Sequence, residues 1–278
     1  MHDPEVIRAQ FAELVNRPDE RIELARAALL VAAENDPALD VEAHMATLES
    51  WARALGDGLA PQASGLQRLA RLREFMFEEL GFRGDVRDYY SPDNSLLHAV
   101  MARRLGIPLT LAILFMELGW RIGMKFEGVG FPGHFLVRLA GEESDLLLDP
   151  FDQASPVLED DCRRMIATSS GGTLKFEPDM VRSVSRRDML TRLLLNLKVA
   201  CLRDSNPEGA LAAIDKVLLM HPNSAPELRD RGLLLYQLDR YRLSLEALRD
   251  YLRARPDALE RDMALKHIAT LQLMLAGN

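Results

Sequence analysis

Cysteine is nearly absent from this chain of 278 residues, and the two present, Cys162 and Cys201, have neither disulfide-framework nor metal-ligand spacing. The expected setting is a reducing cytoplasm with both thiols free. Long apolar runs are missing as well. The longest, Ile107 to Leu118, carries Thr110 and Glu117 and falls short of the ~20 residues that cross a bilayer. Met1-His2-Asp3-Pro4-Glu5 lacks the basic-then-apolar order of a signal peptide, so no membrane partner is expected. Basic clusters are lacking in a chain of net charge −8, which argues against nucleic acid. Neither a glycine-rich phosphate loop nor a His-Glu-x-x-His pattern occurs, so no cofactor and no metal is expected. His134 and Asp149 would supply two metal ligands without an evident third.

What is present is a folded chain, 48% hydrophobic and 27% charged, long enough for two domains. Three regions differ in periodicity. From Pro4 to Leu80 the pattern is helical. Ile22, Leu24, Ala25, Ala28, Leu29 and Ala32 form one stripe, ending near Asn35-Asp36-Pro37. Val41 to Leu55 forms a second helix, stopped by Gly56-Asp57-Gly58. Gly65 to Leu80 forms a third, with Leu66, Leu69, Leu72, Phe75, Met76 and Leu80 on its apolar side and Gly81 as its stop.

In the middle region, Ser91-Pro92-Asp93-Asn94-Ser95 reads as a turn and N-cap that opens a helix to Leu105, stopped by Gly106 and Pro108. Thr110 to Ile122 reads as a buried helix. Three strand-like runs follow, Lys125–Gly130, His134–Leu139 and Asp145–Phe151, the last two joined by a turn at residues 140–144. Val157 to Ala167 is a further short helix. From Arg186 onward the chain is helical, and residues 206–223 overlay residues 240–257 at an offset of 34. Ala210 meets Ser244, Ala213 meets Ala247, Ile214 meets Leu248 and Pro222 meets Pro256. That period resembles the tetratricopeptide repeat, and the array is expected to pack on the middle region or on a final helix from Ala258 to Leu275.

The candidate chemistry lies in the middle. A helix, then a strand led by His134, then a strand ending in Asp149 is the layout of a Cys-His-Asp hydrolase or acyltransferase, but no cysteine opens the helix. A hairpin register summing to about 285 makes His134 and Asp149 diagonal neighbours on one sheet face. Asp149 is expected to accept the Nδ1 proton of His134 and raise its basicity. Gly130 and Gly133 leave the imidazole open to approach. Asn94, His98 and Gly133 are candidates for lining a pocket there. Ser95 is the candidate replacement nucleophile, with capping as its plain alternative. Cys162, after Glu159-Asp160-Asp161, is a poor nucleophile.

Asp88-Tyr89-Tyr90, Asn94-Ser95, Arg103-Arg104-Leu105-Gly106-Ile107-Pro108, the run Gly128 to Val137 and Asp149-Pro150-Phe151 resemble the bacterial SirB family. The resemblance spans about Leu24 to Leu271. It implies an α+β fold: a helical N-terminal segment with a transglutaminase-like, papain-related core and small antiparallel sheet over 1–180, then all-α tetratricopeptide-like repeats over 186–278. By resemblance, His134 and Asp149 match the second and third members of a triad whose cysteine is missing. Two readings stay open. One is a non-catalytic module that binds a peptide or protein. The other is a hydrolase or acyltransferase using Ser95 or a substrate-derived group. Among Arg229, Arg231, Arg240 and Arg242, Arg231 and Arg240 are the candidate contacts for a partner's carboxylates, with pairing to Asp230, Asp239 and Glu246 as the plain alternative. Oligomeric state leaves no signal in the sequence.

Overall fold

The computed structural model describes residues 3–34, 36, 38–141, 145–257 and 259–276. The helix stop expected at Asn35 and Pro37, the hairpin turn at 142–144 and the helix start at Ala258 lie outside the described residues. The chain divides into two compact units, Met1–Leu193 and Leu194–Asn278.

The first unit opens with helices α1 (Pro4–Val15), α2 (Leu24–Ala33) and α3 (Val41–Asp57). Every residue of α2 except Arg26 is buried, so α2 is an inner helix rather than an amphipathic one. Its own N-cap residue, Glu23, makes no capping bond. The buried Glu117 does so from far along the chain, accepting from the backbone N–H of Ala25 at 2.8 Å and pairing with Arg121. Helix α4 (Gly65–Arg73) starts from a reciprocal capping box between Ser64 and Gln67. Beyond it the chain widens into a π-helical turn, Glu74–Glu79, rather than continuing regularly to Leu80. The wider turn seats Phe75, Met76 and Phe77 in the core together, which a regular helix turning 100° per residue disfavours. Leu66, expected on the apolar side, is 65% exposed.

Strands β1 (Arg83–Gly84) and β2 (Leu105–Gly106) form a short parallel pair. Between them lies α5 (Leu97–Arg103), which ends at Arg104 in the left-handed conformation, φ 62°. The Arg104 guanidinium stacks over Trp51 and Phe82. Helix α6 (Pro108–Arg121) is buried from Pro108 to Gly119. Strands β3 (Phe126–Val129), β4 (Leu136–Leu139), β5 (Leu146–Asp149), β6 (Ser155–Pro156) and β7 (Ser183–Val184) form one antiparallel sheet in the order β6-β5-β4-β3-β7. Val137 opposes Leu148 and Leu139 opposes Leu146, the register expected from the sequence.

Alternation along β3 decides the layering. Phe126 turns to α6, its ring 5.1 Å from Phe115. Val129 and Leu136 turn the other way and pack with Cys162 and Ile166 of α7 (Glu159–Ser169). The helices lying on the sheet are therefore α6 on one face and α7 on the other, whereas the sequence led to the expectation that the helix opening at Asn94 would pack against it. Continuous apolar character made α6 the element that buries most when placed at the centre.

Helix α8 (Arg186–Arg203) carries the chain from the first unit into the second. In the second unit, α9 (Pro207–Met220) and α11 (Tyr241–Ala254) repeat at the expected offset, with α10 (Ala225–Gln237) between them and α12 (Arg261–Ala276) last. The small repeat positions Ala210, Ala213, Ser244 and Ala247 are all essentially inaccessible. Ser244 donates to the carbonyl of Gly232 at 2.7 Å. A side chain at Gly232 would strike Leu248 at 2.6 Å, so the repeat needs small residues where its helices touch. Ala264, Ile268 and Leu271 of α12 close this core.

Candidate functional site

Phe131-Pro132-Gly133-His134 is a turn before β4, closed by His134 N–H donating to the Phe131 carbonyl at 3.1 Å. His134 was expected to lead the strand itself. Gly133 adopts φ +71°, and a Cβ there would lie 2.8 Å from Cβ of Ser169, so conformation and close approach both require glycine. Buried Phe131 anchors the turn in the α7 cluster. Arg192 clamps it from α8, one Nη2 donating to the carbonyls of Phe131 (3.0 Å) and His134 (2.6 Å).

On the neighbouring strand, Asp149 ends β5. One carboxylate oxygen accepts from the Phe151 N–H at 2.9 Å, capping the short turn Pro150–Asp152. The other accepts from Nε2 of His134 at 2.8 Å. The nitrogen is the opposite of the expected Nδ1, because the imidazole reaches Asp149 from a turn rather than across a strand pair. Nδ1 of His134 hydrogen-bonds to no described residue. With the proton on Nε2 held by Asp149, Nδ1 is the nitrogen available to accept a proton or hydrogen bond. The ring sits edge-on to Phe151, centroids 5.9 Å apart, and Phe151 in turn meets Tyr89 at 6.2 Å. Gly84 makes room for Phe151, since a Cβ there would lie 2.5 Å from its ring.

The segment expected to open a helix does something else. Residues Pro92–Asn94 form a 3-10 turn whose carbonyls take the N–H groups of Ser95 and Leu96, and α5 begins only at Leu97. Asn94 is fully buried. Its amide donates to Asp85 (3.2 Å) and to the Asp88 carbonyl (2.7 Å), its side-chain oxygen accepts from Arg103 (3.1 Å), and its backbone carbonyl accepts from Thr110 (2.9 Å). Ser95 is 3% exposed, and its hydroxyl bonds to no described residue. Neither caps a helix. His98 turns toward α3, its ring 6.2 Å from that of His44, with a buried Nδ1 that has no partner. Burial, then the neighbouring His44, pushes its pKa down.

Both thiols sit in cores. Burial and then Asp161 push Cys162 up, and burial and then Asp204 push Cys201 up, the reverse of what activates a nucleophile. No group of three or more metal-binding side chains occurs among the described residues, and no helix of the described residues is long and apolar enough to cross a membrane.

In the second unit Arg231 is already engaged, its Nε donating to Asp215 at 2.7 Å. Arg229 pairs with Asp230 and Glu260. Arg240 and Arg242 are exposed and form no ion pair with a described residue. Of the two expected carboxylate contacts, only Arg240 is without an internal partner, because Asp215 lies on the adjoining helix where sequence offers no local cue.

Sequence reasoning did not single out Phe151, Tyr89 or Arg192 as site residues. The first two lie inside the runs Asp88-Tyr89-Tyr90 and Asp149-Pro150-Phe151. Arg192 is one arginine in an arginine-rich helix, with nothing local to mark it.

A model of the transglutaminase-like superfamily matches residues 42–195, and one of the tetratricopeptide repeat matches residues 197–269. A UPF0162 protein of Xylella fastidiosa (strain Temecula1 / ATCC 700964) is 32% identical over 91% of each chain, and the UPF0162 protein PA3419 of Pseudomonas aeruginosa is 33% identical over 78% of each. Menin, in a crystal structure described as revealing its binding site for the Mixed Lineage Leukemia (MLL) protein, covers 91% of this chain and 70% of its own at 11% identity and a TM-score of 0.43, too distant to indicate more. The transglutaminase-like and repeat parts of the sequence expectation are thus shown, with UPF0162 rather than SirB as the name the relatives carry.

Proposed function

This chain belongs to the transglutaminase-like superfamily, and from that membership we propose that it is a peptide- or protein-binding module whose His134–Asp149 pair persists without a nucleophile. One observation carries the reading. The segment where a nucleophile would stand is closed, with Asn94 consumed by Asp85 and Arg103 and Ser95 buried beside it. A serine hydroxyl also gains little from a nearby base unless the two touch, and no bond joins Ser95 to His134. In this reading the free Nδ1 of His134 is a recognition group and Gly133 keeps its approach open. Tetratricopeptide repeats, with Arg240 exposed, supply a second surface. Assignment to the bacterial SirB family and a cytoplasmic setting belong to the same proposal.

The alternative, a hydrolase or acyltransferase, draws on one feature: an imidazole oriented by a carboxylate with its second nitrogen free is also what a general base needs. Ester, amide and peptide substrates assayed with intact protein and His134→Ala separate the two. A working base contributes about 100-fold or more, so the binding reading expects no turnover that His134→Ala removes. Turnover lost in that variant would overturn it.

A further inference from the structure

Arg192 does more than its clamp requires. Only Nη2 is occupied, by the carbonyls of Phe131 and His134. Nε and Nη1 hydrogen-bond to no described residue, and no carboxylate of a described residue pairs with this guanidinium. The group is half-buried and rests on the Phe135 ring at 5.5 Å. A half-buried guanidinium with open N–H groups and no counter-charge can take an anion with little further desolvation.

Its surroundings suit an anion. Burial pushes Arg192 down, and the one group acting against this is Tyr89, through the charge of its phenolate form. Tyr89 is itself pushed up by burial, then by Tyr90, so at neutral pH it is a hydroxyl able to donate. Tyr89 touches Phe151, and Phe151 touches His134. The loop bearing Tyr89 is fixed at its base, where buried Asp85 accepts from the N–H groups of Arg87 and Asp88, from Asn94 and from Arg103. Donors held in place before a ligand arrives lose little entropy on binding.

We infer that the face bearing His134 binds a carboxylate, taken by Arg192 through its unoccupied N–H groups, with Tyr89 joined to that face through Phe151. Guanidinium and carboxylate match as a two-bond fork. The inference rests on reading this face as a binding surface, and it names the chemistry of the ligand: a peptide offering either its chain end or an acidic side chain.

The test follows the His134 ring and Tyr89 signals by NMR during titration of the full chain with N-acetyl-Ala-Ala, its C-terminal amide, and N-acetyl-Ala-Glu amide. A saturable response to either acid, absent with the neutral amide, is expected, and the acid that acts identifies the source of the carboxylate. Arg192→Gln should weaken binding about tenfold or more, with Arg192→Lys falling between. Equal responses to acid and neutral amide, or no response at all, overturn the inference, as does undiminished binding by a folded Arg192→Gln. If that variant does not fold, Tyr89→Phe with a weakened acid response takes its place, and an unchanged response would count against the pair. His134-dependent turnover alongside acid binding would sink the non-catalytic reading alone. Partner binding with no response to any acid would sink this inference alone.

Discussion

Two polar clusters within one unit have been built to opposite ends. Around Asp85, Asn94 and Arg103 nearly every donor finds an acceptor, and Asp85 and Asn94 are buried. Around His134 and Asp149 one ring nitrogen is held and the other is left open. A satisfied buried network rigidifies its surroundings and has nothing left with which to meet a ligand. An oriented imidazole with a spare nitrogen is unfinished until something else arrives. His134, Tyr89 and Arg192 rather than Asn94 and Ser95 therefore hold the groups open to a ligand, and the first cluster serves as the mount for the Tyr89 loop.

The largest effect should come from opening the closed cluster. Asp85→Ala strands Asn94 and Arg103, and a loss on the order of 3 kcal/mol is expected in denaturant unfolding. The pH dependence has a definite sign. Burial works to raise the Asp85 pKa, but bonds from the Asp88 N–H, Asn94, the Arg87 N–H and Arg103 together bring it below the usual carboxylate range. Its contribution is therefore complete above the unfolded value of about 4 and lost as pH falls through the lower folded value. A cluster that tolerates Asp85→Ala with no measurable loss would remove the contrast.

A smaller effect is expected at the open pair. Asp149→Ala removes the cap on the Phe151 N–H and the acceptor for Nε2, costing about 1 kcal/mol. Its sharper signature is the imidazole tautomer: ¹⁵N shifts of His134 should move from one dominant form toward a mixture. Unchanged shifts would mean that Asp149 does not orient the ring.

His98 is the intermediate case and the smallest effect, a buried nitrogen with no partner beside His44. With its folded pKa pushed down, the neutral form is favoured on folding. Stability is then full above the unfolded value of about 6.5 and declines as pH falls below it. His98→Leu should flatten that part of the stability curve. A curve as steep as the parent's would assign the dependence to other groups.

Much of the architecture was legible before the structure. Periodicity located α2, α3, α6, α9 and α11, and alternation with one short turn set the β4–β5 register. Legibility ended where a residue's role depends on its neighbours in space. Asp-Asn-Ser ahead of an apolar run reads as a helix cap, yet Asp85 and Arg103 drew Asn94 inward instead. Continuous apolar character identified α6 as buried, yet the sheet was expected against the helix opening at Asn94, and it is α6 and α7 that lie on it.

The amino-acid sequence by itself determined helices α2, α3, α6, α9 and α11, the strand register, the repeat with its small contact residues, and the presence of a histidine and an aspartate without a cysteine, because each rests on local geometry or on residue chemistry. Tertiary structure alone decided which imidazole nitrogen Asp149 holds, that Asn94 and Ser95 are buried, that Asp215 occupies Arg231, and that Arg192 stands beside His134 with N–H groups to spare. Hydrogen bonds and charges act over a few ångströms in space, and residues far apart along the chain meet at that range only once it has folded.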